Sequence, residues 1–328
     1  MGYRRVRHAA LALLIAVSAL LTLYTIRSRF VTDAMGYADL DRDVAKIVAE
    51  FNLRPVQVRR FEADPKFKLG QALFFDPILS GPRDVACATC HLLSYGTSDG
   101  LPRSIGVHGV GLGPERRLTK GKHEHPRNAL DLWNRDNNAV RSLFWDGRVE
   151  VLDSERRIFR SPLGKDLPPR LDNVLAVQAL FPLVTADEML GDNHDRSAPG
   201  LPNGHAGLPN DLVSRDRPAS ETLRIKDSHA RLMTRLLGTN GTTAWQQKYR
   251  RLFQEAYPRR EDFTIVDLAN ALAHFEEMAF ATRDSAWDRY LRGDGRALPS
   301  DAKRGALVFY GKGRCGVCHS GPLFSDFD

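Results

Sequence analysis

The five residues CATCH (Cys87–His91) recur near the end of the chain as CGVCH (Cys315–His319). Each motif follows a glycine and an aromatic pair, in LGQALFF (Leu69–Phe75) before the first and in RGALVFY (Arg304–Tyr310) before the second. An internal repeat of this kind indicates two copies of one structural module. In each copy we expect a helix to lead through a short loop into the cysteine pair.

The two motifs carry the chemistry that the sequence makes visible. Two thiols separated by two residues can add to the two vinyl groups of a haem, and a histidine that follows directly can bind its iron. A four-cysteine zinc site or a redox-active dithiol also uses such pairs, but zinc sites usually bring them within about 20 residues and do not need the adjacent histidines. The motifs therefore favour two covalent c-type haems. The expected attachment residues and proximal iron ligands are Cys87, Cys90, His91, Cys315, Cys318 and His319.

The composition is typical of a folded soluble protein. Of 328 residues, 42% are hydrophobic and 27% are charged, which excludes wholesale disorder, a collagen-like repeat and a polytopic membrane protein. Four cysteines are too few for a disulfide-stapled scaffold. The net charge of +7 would suit an acidic partner or an anionic surface, but four haem propionates would offset part of it, and we expect no nucleic-acid partner.

The N-terminus has the pattern of an export segment. Three arginines lie within residues 1–8, and the uncharged stretch AALALLIAVSALLTLYTI follows over Ala9–Ile26. We interpret residues 1–30 as an uncleaved signal anchor in the inner membrane, with everything after it in the periplasm. A signal peptide cleaved after Ala19 is the alternative.

Past residue 30 the sequence predicts an all-α fold. Apolar residues recur at helical spacing in six segments, and no stretch alternates as a strand would. The predicted helices are Asp41–Phe51, Pro65–Phe75, Leu171–Phe181, Ala230–Leu237, Thr243–Tyr257 and Ile265–Leu291. Residues 191–220 are rich in Gly, Pro, Asn and Asp, which predicts a long surface loop or insertion.

Six segments, in this order, resemble the bacterial di-haem cytochrome c peroxidase and MauG family. They are LGQALFFDPILS, CATCH, RNALDLWN, FWDGR, QALFPLVTADEM and GKGRCGVCHSGPLFSD, and extra residues around 112–126 and 191–220 interrupt the match. The resemblance implies two cytochrome c-like helical domains, each with one haem, and a calcium ion between them. We accordingly expect a first, peroxidatic domain over 31–260 and the start of a second, electron-accepting domain over 261–328.

The resemblance also implies roles for individual residues. Glu188 matches the acid–base residue beside the peroxide site, where a carboxylate can move a proton from one peroxide oxygen to the other. Gln178 would hydrogen-bond a bound oxygen species and Pro182 would form an apolar wall. Trp145 matches the tryptophan between the two haems, and Asn128 matches a residue that helps hold the calcium ion.

Two departures from the family pattern stand out. Many members have a Ser-Ile-Gly-His segment whose histidine caps the first haem iron, whereas here the segment is Ser104-Ile105-Gly106-Val107-His108. We keep His108 as a candidate distal ligand, with His123 and His125 as lesser candidates. The chain also stops nine residues after His319, before any residue that could cap the second haem, so we expect a truncated or partial second domain.

The expected function is reduction of hydrogen peroxide to water. Electrons would come from a small periplasmic donor, a cytochrome c or a cupredoxin, and the enzyme could act as a homodimer. A MauG-like enzyme that oxidises a partner protein and a non-catalytic electron carrier are the alternatives. Glu188 and Gln178 argue against a pure carrier, since a carrier needs no proton shuttle.

Overall fold

The structure is a computed structural model that describes residues 17–25, 39–57, 61–119, 122–198, 205–216, 218–238, 243–282 and 284–325. Most of its regular structure is helical. The helices are α1 (39–50), α2 (Pro65–Phe75), α3 (Cys87–Cys90), α4 (Val174–Gln178), α5 (Glu221–Leu237), α6 (Ala244–Ala256), α7 (Ile265–Ala279), α8 (Ala286–Leu291) and α9 (Ser300–Leu307). Residues 17–25 are helical as well.

Two small antiparallel sheets accompany the helices, so the all-α prediction is wrong in this respect and the fold is mostly helical. Strand β1 (Gly109–Val110) pairs with β2 (Arg117–Leu118). Strands β3 (Ser142–Leu143), β4 (Val149–Asp153) and β5 (Ile158–Arg160) form a second sheet in that order. Strands this short escape a search for alternation, because a period of two needs about four or more residues to show. Residues 144–148, FWDGR, form the turn between β3 and β4.

The chain folds into two compact units whose boundaries differ from the predicted domains. The larger unit is Gln57–Arg283, and the smaller unit joins the N-terminal part up to Val56 with the segment that begins at Asp284. In the smaller unit the fully buried Lys303 donates to Asp41 Oδ1 at 2.6 Å, and Tyr290 donates to the same carboxylate at 2.9 Å. Helix α1 therefore belongs with the second Cys-x-x-Cys-His motif, although it precedes the first in sequence.

Helix α2 has the bounds that the sequence predicts, whereas the predicted helix Ile265–Leu291 is two helices, α7 and α8. The break follows Phe280, whose carbonyl accepts a hydrogen bond from Asn134 N–H at 2.9 Å. Asn134 Oδ1 in turn accepts from Thr282 N–H at 2.7 Å. The loop residue Asn134 thus makes the hydrogen bonds that the next turn of the helix would otherwise make. Helix α4 is shorter than Leu171–Phe181, and α5 begins at Glu221 rather than at Ala230.

Helix α2 crosses α7 at Gly70, in the core of the larger unit. The Asp64 carboxylate starts α2 by accepting from Phe67 N–H at 2.7 Å. At the crossing, a Cβ on Gly70 would lie 2.0 Å from the carbonyl oxygen of Ala271 and 2.7 Å from Phe275 Cβ. The missing side chain lets the helices touch, and Phe74 of α2 packs on Phe275 with ring centroids 5.0 Å apart.

Replacing Gly70 with alanine should destabilise the protein by about 3 kcal/mol, because the new methyl group forces two helices apart. An alanine in a helix otherwise stabilises by up to about 1 kcal/mol relative to glycine. Gln71→Ala on the exposed side of α2 is the matched control and should change stability by less than about 0.5 kcal/mol. Denaturant unfolding of the purified protein measures both, and a Gly70→Ala midpoint equal to that of the wild type would contradict the close crossing.

The predicted surface loop 191–220 is partly tied to the core. Arg235 of α5 is buried and donates to the carbonyls of Ile78 at 2.8 Å and Ser80 at 2.6 Å. Its guanidinium also pairs with Asp211, which accepts a second bond from the buried Arg83 at 2.9 Å. Burial would raise the pKa of Asp211, but Arg235 and Arg83 outweigh it and lower that pKa.

Asp211→Asn should cost about 1–3 kcal/mol of stability at neutral pH, because it leaves two buried guanidinium groups without a counter-charge while water screens part of the effect. Since the folded pKa of Asp211 lies below its unfolded value, the wild-type contribution is present above about pH 4 and is lost as the pH falls further. Thermal unfolding between pH 3 and pH 7 tests this. The control is Asp227→Asn, which breaks a half-exposed pair with Arg231 and should cost less than about 0.5 kcal/mol.

The predicted export segment lies mostly outside the described residues. Residues 17–25 of it are helical and exposed. In the part of the chain that the structure describes, no helix has both the length and the apolar character to cross a bilayer.

Candidate haem site

The first Cys-x-x-Cys-His motif opens onto a cavity inside the larger unit. The motif forms the short helix α3, which ends at His91. Two adjoining pockets, with about 780 and 550 Å³ of space, share several lining residues on both sides of the motif. The shared residues are Cys90, His91, Leu132, Gln178, Glu188 and Glu276. The cavity therefore brings together side chains from segments that are far apart in sequence.

The loop after α3 determines which nitrogen of His91 is available to a metal. Nδ1 of His91 lies 2.9 Å from the carbonyl oxygen of Thr97, and a carbonyl can only accept, so Nδ1 carries the proton. Thr97 adopts the left-handed conformation (φ 66°), and its hydroxyl accepts from Leu132 N–H at 2.7 Å. Burial lowers the pKa of His91 and keeps the ring neutral. The arrangement leaves Nε2 available to bind iron. Histidines that bind a metal usually donate their other ring N–H to a carbonyl or carboxylate in this way.

The smaller unit repeats this device at His319. Nδ1 of His319 lies 3.0 Å from the carbonyl oxygen of Phe324, which is also left-handed (φ 54°). The aromatic pair of the sequence repeat is used in the same way in both units. Phe74 lies 6.4 Å from the His91 ring and Phe309 lies 6.4 Å from the His319 ring, measured between centroids. The two motifs are therefore equivalent in local structure as well as in sequence.

The cysteines are free thiols with chemistry suited to haem attachment. None of the four forms a disulfide; Cys87 and Cys90 are half-buried, and Cys315 and Cys318 are exposed. Burial raises the pKa of both Cys87 and Cys90, to about 12 for Cys90. A thiol that stays protonated does not suit a redox-active dithiol at Cys87 and Cys90. Among the described residues, no three His, Cys, Asp or Glu side chains are grouped as they would be around a metal ion.

Glu188, Gln178 and Pro182 all line the cavity that contains Cys90 and His91. Gln178 is the last residue of α4, and Pro182 begins the 3₁₀ turn Pro182–Val184. Glu188 lies in the π-helical turn Ala186–Leu190. Burial raises the pKa of Glu188, while interactions with His125, Arg148 and Thr185 oppose the rise. A carboxyl whose pKa is raised in this way can act as a proton donor near neutral pH.

Neighbouring backbone holds the Glu188 turn in place. A Cβ on Gly106 would lie 2.2 Å from the Asp187 carbonyl oxygen and 2.3 Å from that of Glu188, so the two segments are in close contact. Val107 N–H donates to the Glu188 carbonyl at 3.1 Å. Asn210 is buried, and its Nδ2 donates to the Leu190 carbonyl at 2.7 Å. Sequence reasoning missed Asn210, since nothing in a loop-like composition identifies which asparagine turns inward.

His108 is not among the residues that line this cavity. Its Nε2 lies 2.9 Å from Asp195 Oδ2, and its backbone N–H donates to Asp84 at 2.6 Å. The His108 side chain therefore faces Asp195 rather than the cavity, and its part as a distal iron ligand stays a prediction. Of the two lesser candidates, His125 lines the cavity and His123 is exposed.

Trp145 and Asn128 line the same cavity and contact each other. Trp145 lies in the turn between β3 and β4, and its Nε1–H donates to the Asn128 carbonyl at 3.1 Å. The Trp145 side chain is 57% exposed. Their expected parts in electron transfer and calcium binding stay predictions.

Glu276 is a further cavity residue that sequence reasoning missed. It lies on α7, lines both pockets and is 9% exposed, and its Oε2 has no hydrogen-bond partner among the residues that the structure describes. Burial, with a smaller contribution from Glu277, raises the pKa of Glu276 to about 8. An unpartnered buried acid is costly unless another group meets it, so this cavity wall fits a cofactor that carries polar groups. The signal was an acid at helical spacing from Leu272 on an otherwise apolar face.

A family model described as di-haem cytochrome c peroxidase matches residues 64–296. The chain belongs to this family. Methylamine utilization protein MauG of Methylorubrum extorquens is 30% identical over 290 residues, which are 87% of this chain and 58% of MauG. Cytochrome c551 peroxidase of Pseudomonas aeruginosa is 28% identical over 309 residues, which are 93% of this chain and 64% of that protein.

The chain spans about three fifths of the length of these relatives. Among solved structures, one similar chain is a MauG-like protein associated with microbial copper homeostasis. The match covers 84% of this chain and 59% of that protein's chain, at 22% identity and a TM-score of 0.48. Membership of a di-haem family implies two c-type haems, which agrees with the two attachment motifs.

Replacing Cys87 and Cys90 together with alanine should halve the covalent haem per chain, because one of two attachment sites is lost. The matched variant removes Cys315 and Cys318 and should also lose half, from the other unit. Haem absorbance per protein and the intact mass of the purified protein measure the loss. An unchanged haem content in either variant, or zinc in place of haem, would contradict the assignment.

Proposed function

We propose that this chain reduces hydrogen peroxide to water in the cavity of the larger unit. The observation that carries the proposal is the placement of Glu188, with its raised pKa, in the same cavity as the iron-binding face of His91. Each peroxide takes up two electrons and two protons, its O–O bond breaks, and two waters form. When bound, the haem supplies the iron that receives the peroxide and passes electrons to it.

The chain's own residues would manage the protons. Glu188 as a carboxylate can take the proton from one peroxide oxygen and, as the acid, return it to the other, so that the departing oxygen leaves as water. Gln178 is an uncharged hydrogen-bonding group on the same wall and would orient the peroxide. Pro182 lines the adjoining pocket and limits the entry of water there.

The supply of electrons is part of the same proposal. We propose that they come one at a time from a small periplasmic cytochrome c or cupredoxin, enter at the haem of Cys315 and Cys318, and pass by way of Trp145. Export to the periplasm on an N-terminal anchor, a bound calcium ion at Asn128 and a homodimer complete the proposal. The similarity to cytochrome c551 peroxidase and the two equivalent motifs support it.

A MauG-like oxidation of a partner protein is the second candidate. The observation in its favour is that the His108 side chain contacts Asp195 and does not line the cavity, so that His108 would leave the first iron without a histidine cap. Spectroscopy of the first haem separates the candidates. A low-spin ferric iron with a second histidine favours the peroxidase that needs reductive activation, and a high-spin iron favours the MauG-like enzyme.

The pre-reduced, haem-loaded protein should consume peroxide with a reduced cytochrome or cupredoxin donor, and Glu188→Gln should lower kcat by about 10²–10⁴-fold with unchanged haem spectra. Glu124→Gln is the matched control, because Glu124 is an exposed acid that pairs with Arg103 and does not line the cavity. Stopped-flow peroxide consumption measures the rates. No consumption by the wild type would refute peroxide reduction, and a fully active Glu188→Gln would refute the part given to Glu188.

A further inference from the structure

The His125 side chain lies beside the carboxyl group of Glu188. It lies in the segment 112–126 that interrupts the resemblance to the family, and its ring lines the cavity. Its Nε2 lies 3.8 Å from Glu188 Oε2. Glu124 and Pro126, its neighbours in the chain, are exposed. The side chains of His125 and Glu188 are 21% and 27% exposed, so the two groups lie side by side in a partly exposed part of the cavity.

Residues 104–107 hold both the His125 loop and the Glu188 turn through backbone hydrogen bonds. The Ser104 carbonyl accepts from His125 N–H at 2.9 Å, and Ser104 N–H donates to the Arg127 carbonyl at 3.1 Å. Three residues further on, Val107 N–H donates to the Glu188 carbonyl at 3.1 Å. The backbones of His125 and Glu188 are therefore both held by hydrogen bonds to the segment 104–107, which keeps the two side chains within reach of each other.

The charges around Glu188 single out His125. Burial raises the pKa of Glu188, and His125 and Arg148 are the cations that lower it. An arginine keeps its proton at any physiological pH, whereas a histidine exchanges its proton near neutrality. The other charged or titratable side chains that line this pocket are Cys90, His91, Asp131, Arg135 and Glu276.

We propose that His125 exchanges protons with Glu188 and so supplies protons to that carboxyl group. The proposal rests on the proposed peroxide reduction, which consumes two protons per turnover. In each exchange a side-chain rotation closes the 3.8 Å gap, the Nε2–H bond of protonated His125 breaks, and an O–H bond forms on Glu188. His125 then takes a proton from solvent. His125 acts through Glu188 and not on peroxide, so it is a positioning residue.

The test compares three variants of the haem-loaded protein. His125→Gln places an uncharged amide near the position of Nε2. His125→Asn keeps an amide near Nδ1, which lies 3.2 Å from the Arg127 carbonyl, and so guards against a loss of folding. His123→Gln is the matched control, a histidine of the same loop that is exposed and does not line the cavity.

The probe is the rate of cyanide binding to the ferric protein as a function of pH, because hydrogen cyanide must give up a proton to bind and a nearby base accepts it. Both His125 variants should shift the inflection upward by about one pH unit, since Glu188 loses a positive neighbour. Both should also lower kcat for peroxide by about ten- to a hundredfold with KM unchanged. His123→Gln should match the wild type in every measurement.

The outcomes separate this inference from the proposed function. Wild-type cyanide inflections in both His125 variants, together with an inactive Glu188→Gln, would overturn the inference and leave peroxide reduction intact. A protein that consumes no peroxide but shows the shifted inflections would support the link between His125 and Glu188 and refute the function. A low-spin ferric spectrum that turns high-spin in His125→Gln would show that His125 binds the iron, and would overturn the inference.

Discussion

The hydrogen bond from His91 Nδ1 to the Thr97 carbonyl, at 2.9 Å, decides which face of the imidazole meets the cavity. The surrounding fold keeps that bond in place. The loop can close because Thr97 adopts a left-handed backbone conformation. The His91 ring packs near Phe74 of α2, and α2 lies directly against α7 because of the close crossing at Gly70. The same bond recurs between His319 and Phe324. Both copies of the module therefore hold the motif histidine by Nδ1 and leave its Nε2 available to iron.

An ionised carboxylate in a protein interior is costly, and two acidic side chains line this cavity. Glu188 and Glu276 both line it, and burial raises the pKa of each. Two carboxyl groups in such a site do not both ionise without compensating positive charge. The positions of His125 and Arg148 therefore decide which of the two carboxylates is stabilised. Glu188 has these cations near it, whereas Glu276 has none that lowers its pKa. The two acids therefore differ in the charges around them.

The two insertions are part of the site. The first supplies His125, and it also supplies Lys122, which donates to Asp195 of the second insertion at 3.0 Å. The second supplies Asn210, which holds the end of the Glu188 turn. Segments with the composition of surface loops therefore help to hold the position of Glu188.

The sequence by itself determined the features that are local in the chain. Cysteine spacing with an adjacent histidine, the bounds of α2 and the internal repeat each depend on residues a few positions apart. Tertiary structure alone decided the rest. It turned His108 toward Asp195, ended α7 with Asn134, left Glu276 unpartnered in a cavity wall and joined α1 to the second motif. Each of these depends on a contact between distant segments, and the free energy of such a contact is not present in any short window of sequence.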